Sequence, residues 1–565
     1  MTARICILIG SLLTAFGAAA GSPPPEESGQ VRQQQPVVER VHRDLGTSMK
    51  RDFLGPQFER HPRHRHVPQA PRQRRFPGAA DTLRYWNRVA IDASGLDHTP
   101  VVAGESRVFG EQLGPGRASR AMAIVHIAIF DAVNAFEGRY RSYTGIRRAP
   151  RGASIDAAIA QAAHDTLIAV FPSQQPVFDE LLADDLEQIA SGDPRARRLG
   201  VAVGRRAAAA ILARRKHDRS HGDDPQMGTE WITSDEPGHW RQDPIGQSPI
   251  ALGAKWGKVR PFVLRAGSQF RAPPPPAMTS AAYTRAFNEV QVLGGDGVTT
   301  PTERTAEQTQ IAIYWAYDGT PSLCAPPRLY NQITAEVSKR STDVVELARL
   351  FALVNVALAD AGIAIWESKY HYDFWRPVTG IREADESTGP TGHGDGNPAT
   401  FADPGFVPLG APASNLAGPN FTPPFPAYPS GHAGFGGALF QILRRFYGTD
   451  RLAFTFVSDE LNGETVGNDG EVRPFVPRSF ASLSEAEEEN GQSRIYLGIH
   501  WEFDKTAGIA QGRRVADYVF NHAFQPVLRR GSTASTFHVM LSERLPLERQ
   551  DPSRESQNHR KRAVQ

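Results

Sequence analysis

Three stretches of the chain hold residues whose chemistry needs explaining: Lys369-Tyr-His-Tyr-Asp-Phe-Trp-Arg376-Pro377, Pro429-Ser430-Gly431-His432, and Ser493-Arg494 followed by Gly498, His500 and Asp504. Lys369 and Arg376 are seven positions apart, two turns of helix, so a helix running to Pro377 puts both cations on one face. Two like charges on one face call for solvent or for a bridging anion, and the aromatic residues between them favour burial. Ser430 offers a hydroxyl beside the free N–H groups of a helix start, and Gly431 lets the backbone approach an oxyanion closely. His432 can exchange a proton with a bound group. Arg494 adds a planar donor fork. His500 suits nucleophilic attack or metal ligation, and Asp504, four residues on, can take its second ring N–H and fix the tautomer. Singly, these are a solvated face, a serine cap and a helix-end histidine. Together, one lysine, two arginines, a serine, a glycine and two histidines suit a single tetrahedral oxyanion.

Elements must bring these stretches together. Apolar residues at three- and four-residue spacing predict helices over 117–138, 154–171, 175–190, 195–215, 303–319, 328–340 and the long 342–376, with Pro377 ending the last near Arg376. The region 219–300 and the Gly/Pro-rich 386–428 read as loops. A further helix begins at the Ser-Gly-His triplet, and Ala453–Val457 reads as a short strand. Ser484 with Glu487 has the spacing of a capping box for a helix that breaks near Gly498. The last helix covers 504–524. The fold class is therefore all-α: helical bundles, taken as two four-helix bundles, with long Gly/Pro-rich loops and few short strands.

The chain divides into residues 1–20, 21–80, 81–300, 301–528 and 529–565. Residues 1–20 combine Arg4 with an apolar run ending in Ala18-Ala19-Ala20, the pattern of a secretory signal peptide, which predicts a secreted or periplasmic protein. Residues 21–80 form a basic arm rich in Pro, Gln, Arg and His, expected to be disordered. His61, His64 and His66 within it are read as parts of a solvated linker rather than a metal site. Residues 81–300 form an N-terminal bundle with loops, 301–528 a C-terminal bundle carrying the oxyanion site, and 529–565 a polar tail. No membrane span is expected in the mature protein. The most apolar later run, 350–366, carries Asn355 and Asp360 and reads as a buried helix. Of two cysteines, Cys6 lies in the leader, so Cys324 has no disulfide partner in the mature chain. A formal charge of +2, from 63 basic and 61 acidic residues, gives no ground for a specific nucleic-acid partner.

The set K-x6-RP, PSGH and SR-x3-G-H-x3-D, in this order, resembles the signature of the type 2 phosphatidic acid phosphatase superfamily, which includes acid phosphatases and vanadium-dependent haloperoxidases. Trp366, "PPFPAYPSGHA", "YWAYDG" and "PPRLYNQI" resemble the chloroperoxidase-like branch of the haloperoxidases. The resemblance spans about 82–525. It implies a vanadate (vanadium V) cofactor bound through His500, with its oxygens held by Lys369, Arg376, Ser430, Gly431 and Arg494. It implies catalytic roles for His432, Lys369 and His500. Trp366, Phe425 and Pro424 would border the halide and peroxide pocket, where Phe425 leans toward chloride because bromide-selective relatives often carry His there. Asp504 would support His500, and Asp318 would pair with Arg494. The implied partners are hydrogen peroxide, chloride or bromide, and an organic acceptor halogenated by the resulting hypohalous acid. Few cysteines and only six methionines fit an oxidant-producing enzyme.

The same cage suits phosphate, so the alternative is a secreted acid phosphatase with His500 as nucleophile and His432 protonating the leaving oxygen. A third reading is a non-catalytic oxyanion-binding or surface protein that uses the basic arm.

Overall fold

The computed structural model describes residues 53, 55, 57–64, 78–102, 104–189 and 193–527. The leader, His66 and the polar tail lie outside them. Thirteen helices carry the fold among these residues, with four short strands in two antiparallel pairs.

The N-terminal group comprises α1 (Ala79–Asp97), α2 (Gly114–Glu137), α3 (Ile155–Val170), α4 (Gln175–Ile189) and α5 (Pro194–Arg215). Alanines and glycines set its spacing. Gly200 and Gly204 of α5 lie against the backbone carbonyls of Ser154 and Ala158, where a β-carbon would stand 2.2 and 2.5 Å away. Side chains there would force α3 and α5 apart. The C-terminal group comprises α9 (Val344–Tyr372), α11 (Gly431–Tyr447), α12 (Leu483–Tyr496) and α13 (Glu502–His522). Again small residues permit the closest approach: a β-carbon on Gly512 would sit 2.0 Å from Gly434 O. Helix α9 packs on α2 across the middle and joins both groups into one core. Between α5 and α9 lie α6 (Ala281–Leu293), α7 (Ala306–Tyr314) and α8 (Pro326–Val337), and α10 (Pro377–Arg382) follows α9.

Helices α2 and α9 are long and apolar enough to cross a membrane, yet both are buried inside the protein. The polar residues of α9 have internal partners. Asp360 accepts the N–H groups of Phe262, Val263 and Leu264, and Asn355 exchanges two 2.8 Å bonds with Asn331. The Asp360 contacts fasten the otherwise irregular 219–280 region to the core, and the Asn355–Asn331 pair ties α9 to α8.

The structure corrects the sequence reading in several places. Helix α9 stops at Tyr372, not near Arg376. Asp373 takes a left-handed conformation (φ 51°), and the next residues pair with 238–240 instead of continuing the helix: Trp240 N–H donates to Asp373 O and Trp375 N–H to Gly238 O. Lys369 and Arg376 therefore do not share a helix face, and Arg376 precedes Pro377 at the start of α10. The cap of α12 is Ser482, which accepts Glu485 N–H, whereas Ser484 donates to Asp450 and Glu487 is buried against Arg444 and Arg513. Helix α6 lies in the expected loop, and α1 was not anticipated.

The strand at 453–457 extends to β3 (Phe454–Asn462) and pairs with β4 (Phe475–Phe480) in register Phe454–Phe480. Of the arm, the described residues 57–64 pack on the rest of the protein. β1 (Glu59–Arg60) pairs with β2 (Leu416–Ala417), and Phe58 packs edge-on against Phe421. His64 is buried and bonded to Ser322, and His61 Nδ1 accepts Arg63 N–H, so neither is a free linker histidine.

Candidate active site

The site forms where four helix ends of the C-terminal group meet. Lys369 lies in the last turn of α9, Ser430 caps α11, Arg494 lies in the last turn of α12, and His500 and Asp504 flank the start of α13. Arg376 enters from the start of α10. All the sequence-selected residues come together except in the manner expected for Lys369 and Arg376, which converge from different elements on one loop. Lys369 Nζ donates to Pro426 O (2.7 Å) and Ala427 O (2.9 Å). Arg376 donates to Phe425 O (2.9 Å), Pro423 O (3.2 Å) and Ile499 O (2.8 Å). Lys369 is completely buried, and Arg376 and Arg494 are each 1% exposed.

Burial and the neighbouring Arg376 hold the Lys369 ammonium well below the usual lysine range, and burial pulls Arg376 down to about 9. Three buried cations are thus concentrated at one point, where Arg376 and Arg494 lower Lys369 and Arg494 lowers Arg376, an arrangement relieved by an anion. Lys369 has three N–H groups and spends two on carbonyls, leaving one. Arg494 is more telling. Its Nη2 donates to both Asp318 oxygens, at 2.7 and 2.8 Å, but Nε and Nη1 are buried without a partner. An unpaired buried donor costs free energy, about 1–3 kcal/mol for a neutral group and more for a charged one. Burial, opposed mainly by Arg494, raises the Asp318 carboxyl above its usual range.

Ser430 Oγ accepts Ala433 N–H as the cap of α11, which leaves its O–H to donate. Gly431 is the first residue of that helix, and a β-carbon there would meet Trp366 at 3.3 Å and Lys369 Cε at 3.9 Å. The absent side chain keeps the helix start open to an anion.

The two histidines have defined tautomers. Arg376 Nη1 lies 3.0 Å from His500 Nε2, and arginine only donates, so Nε2 is the acceptor. Nδ1 then carries the proton and donates to Asp504 Oδ2 at 2.8 Å. Asp504 also accepts Trp501 N–H (3.0 Å), while its Oδ1 is buried and unpartnered. Burial pushes this carboxyl up to about 7. Burial and then Arg376 hold His500 well below the usual histidine range, keeping it in the neutral form that ligates metals. His432 points the other way: its Nε2–H donates to Ala316 O, and Nδ1 faces Asp318 Oδ1 at 3.8 Å. Burial, then Arg494, holds it well below the usual range.

Aromatic residues close the wall. Trp366 and Phe425 meet edge-on at 4.9 Å, and the Phe425 ring lies 5.0 Å from Lys369 Nζ and 4.9 Å from Arg376 Cζ. Cation–π attraction there offsets part of the desolvation of both charges. Trp366 Nε1 is fixed on Leu252 O, and Pro424 O accepts Leu252 N–H. The cavity is lined by Arg494, His432, His500, Trp366, Pro424 and Phe425 among others. Phe53, Phe58 and Leu252 also line it. None was selected from sequence, because the first two lie in a compositionally basic arm and Leu252 in a Gly/Pro-rich loop without periodicity.

The donor set fits an oxyanion cofactor: the orphaned N–H groups of Arg494, the spare Lys369 proton and the open helix start are all anion donors. Comparisons with known proteins agree. Residues 349–528 match the VCPO second helical-bundle domain. The chain is 31% identical over 504 residues to the vanadium chloroperoxidase of Curvularia inaequalis, covering 75% of this chain and 79% of that one. In fold it resembles the crystal structure of the first bacterial vanadium-dependent iodoperoxidase, with a TM-score of 0.60 at 23% identity, over 78% of this chain and 98% of that one. An apo-type bacterial vanadium-dependent chloroperoxidase matches with a TM-score of 0.53 at 18% identity, over 73% and 94%. Oxyanion donors at four converging helix ends and the extent of these likenesses lead to one assignment: the chain belongs to the vanadium-dependent haloperoxidase family.

Proposed function

We propose that this protein binds vanadate and uses hydrogen peroxide to oxidise chloride or bromide to hypohalous acid, which halogenates organic acceptors. The observation that carries the reading is Arg494, buried with Nε and Nη1 unpaired among Lys369, Arg376 and the start of α11. Lys369, Arg376, Arg494, Ser430 and the Gly431 N–H would hold the vanadate oxygens by charge-assisted hydrogen bonds, and His500 Nε2 would ligate the metal. Bound there, vanadate supplies a vanadium(V) Lewis acid that activates hydrogen peroxide toward halide.

The chain's own residues do the rest. Asp504 holds the proton on His500 Nδ1, so the lone pair stays on Nε2. Ala316 O holds the proton on His432 Nε2, which leaves Nδ1 to accept a proton from hydrogen peroxide and return it to the departing oxygen. Lys369, pressed against the Phe425 ring, places positive charge where peroxide oxygen develops negative charge. Trp366, Phe425 and Pro424 exclude water from the adjoining space, and Phe425 supports chloride as well as bromide turnover.

The test is peroxide-dependent halogenation of a phenol-type dye with chloride and with bromide, with and without added orthovanadate. Vanadate-dependent halogenation is expected. Hydrolysis of phosphate esters with no halogenation at any pH would instead assign an acid phosphatase with His500 as nucleophile.

The same reading includes export. The leader-like first 20 residues support a secreted or periplasmic location. Amino-terminal sequencing of the protein made in its own cell would show a start beyond residue 20, and an intact Met1 in a cytosolic fraction would reject it.

A further inference from the structure

His432 and Arg494 reach the site from different helices, yet one short strap touches both. Ala316 O accepts the His432 Nε2–H, and the Asp318 carboxylate takes Arg494 Nη2. Between them Tyr317 has φ 46°, a left-handed conformation that crowds a β-carbon and needs outside support. The support comes mainly from β3. Glu460 Oε1 accepts Tyr317 N–H at 3.1 Å, Asp459 N–H donates to the Tyr317 hydroxyl at 2.7 Å, and Ser458 Oγ donates to Tyr314 O at 2.6 Å. Gln332 of α8 accepts the Tyr317 O–H at 3.0 Å. Glu460 is completely buried. Its second oxygen takes the Ser414 hydroxyl (2.6 Å) and Arg473 Nη1. A buried carboxylate is a costly way to fill space, and a β-strand side chain facing the core would ordinarily be apolar.

We propose that Glu460 is a positioning residue for the reaction. By gripping Tyr317 N–H it fixes the 316–318 strap, and through the strap it sets which nitrogen of His432 is free and where the open N–H groups of Arg494 point. Glu460 touches neither substrate nor cofactor. A purely structural Glu460 would serve only its pair with Arg473, and that alternative makes different predictions. The inference rests on the reading of His432 and Arg494 as site residues, but two of its tests need no turnover.

The test uses the full chain with three changes: Glu460→Gln, Arg473→Met, and Glu460→Met combined with Arg473→Met. The double change removes the buried pair together, which buried pairs tolerate better than loss of one partner. Three quantities are measured: sulfate affinity of the vanadate-free protein by calorimetry, the His432 tautomer by nitrogen NMR of histidine-labelled protein, and kcat and KM for peroxide after vanadate loading. Glu460→Gln keeps an oxygen acceptor for Tyr317 N–H and should stay within about threefold of wild type in all three. The double variant should bind sulfate about tenfold more weakly, lose the single Nε2–H tautomer, and drop kcat about 100-fold with KM little changed. Arg473→Met alone should leave the tautomer intact. Wild-type sulfate affinity and tautomer in the double variant would overturn the proposal, as would the same loss from Arg473→Met alone. Shifted affinity and tautomer in a protein whose wild type halogenates nothing would uphold the positioning role and reject the haloperoxidase reading instead.

Discussion

Two of the groups of buried cations among the described residues are finished differently. In the N-terminal group Arg120 and Arg215 share one oxygen of Asp218, at 2.7 and 2.9 Å. Arg215 also places Nη1 on Pro261 O and Nη2 on Arg260 O, and its guanidinium stacks on Phe262 at 3.8 Å, so every nitrogen has a partner. Burial raises the Asp218 carboxyl, but Arg120 and the other contacts outweigh it and hold it below its usual range. In the C-terminal group Lys369, Arg376 and Arg494 are as deeply buried, yet two nitrogens of Arg494 are open. Arg215 is satisfied by the protein alone; Arg494 keeps two donors that the protein does not satisfy. Buried charge is therefore no sign of function in itself. The sign is buried charge left unsatisfied.

The largest effects should come from breaking the open group. His432→Ala should retain vanadate but lose turnover by about 10²–10⁴, the usual worth of a positioned acid–base group. Steady-state halogenation by vanadate-loaded protein measures it, and unchanged peroxide kinetics would remove His432 from the mechanism. His500→Ala removes the proposed metal ligand itself. It should weaken vanadate retention by more than the 10–100-fold that outer partners typically cost, and vanadium content after gel filtration reads this directly. Wild-type content would reject the ligand assignment.

A pair of matched substitutions sharpens the contrast. Arg215→Met leaves Asp218 without its second cation and should cost about 3–5 kcal/mol of stability. Its effect on sulfate binding should stay within about twofold, as the two groups share no partner. Arg494→Met should do the reverse. It removes two orphaned nitrogens, and Asp318, whose carboxyl burial already holds above its usual range, can take up a proton when its partner leaves. Its stability cost should be about 1–2 kcal/mol, whereas sulfate affinity should fall about 10–100-fold. Thermal unfolding and calorimetry on both variants test the crossing. Equal stability losses with equal anion affinities would erase the distinction between the groups.

Legibility from sequence follows the same division. The cage residues were readable because each chemical type sits beside a local signal: a Ser-Gly at a helix start, an aromatic run before Arg376-Pro377, and a histidine four residues before an aspartate. Their convergence was readable only through a family resemblance, because no local pattern says that four helix ends meet. The expectation of a shared Lys369–Arg376 face failed because Pro377 marks the latest end of a helix, not its actual end. The pairing of 373–375 with 238–240 competes for the backbone and wins. Helix α6 was hidden by flanking Gly and Pro runs, and β4 by the sequence Phe475-Val-Pro-Arg-Ser-Phe480, whose apolar residues do not alternate although its burial does. Phe58 looked like part of a solvated arm because composition averages over a segment, whereas one aromatic contact with Phe421 and a two-residue strand are enough to seat residues 57–64 on the rest of the protein.

The smallest effect expected is also the most specific to an unfilled cation cluster. His432 is held below its usual range by burial, then by Arg494, Lys369 and Arg376, with Ala316 O opposing and Asp318 facing Nδ1. An anion that neutralises those cations removes part of what holds the proton off. The bound form then has the higher pKa, so binding takes up protons and tightens as pH falls, by at most about tenfold per unit for one group, within the window between the free and bound values. Sulfate is a suitable probe because it does not titrate between about pH 5 and 8, the range in which histidine commonly changes charge. Calorimetry in two buffers of different ionisation heat should show fractional proton uptake on sulfate binding, reduced in His432→Ala. Uptake that survives the substitution belongs to Lys369 or His500, which burial and Arg376 also hold low. Proton release, or affinity rising with pH, would mean that bound sulfate leaves these cations unneutralised, and the open group would then be as closed as that around Asp218.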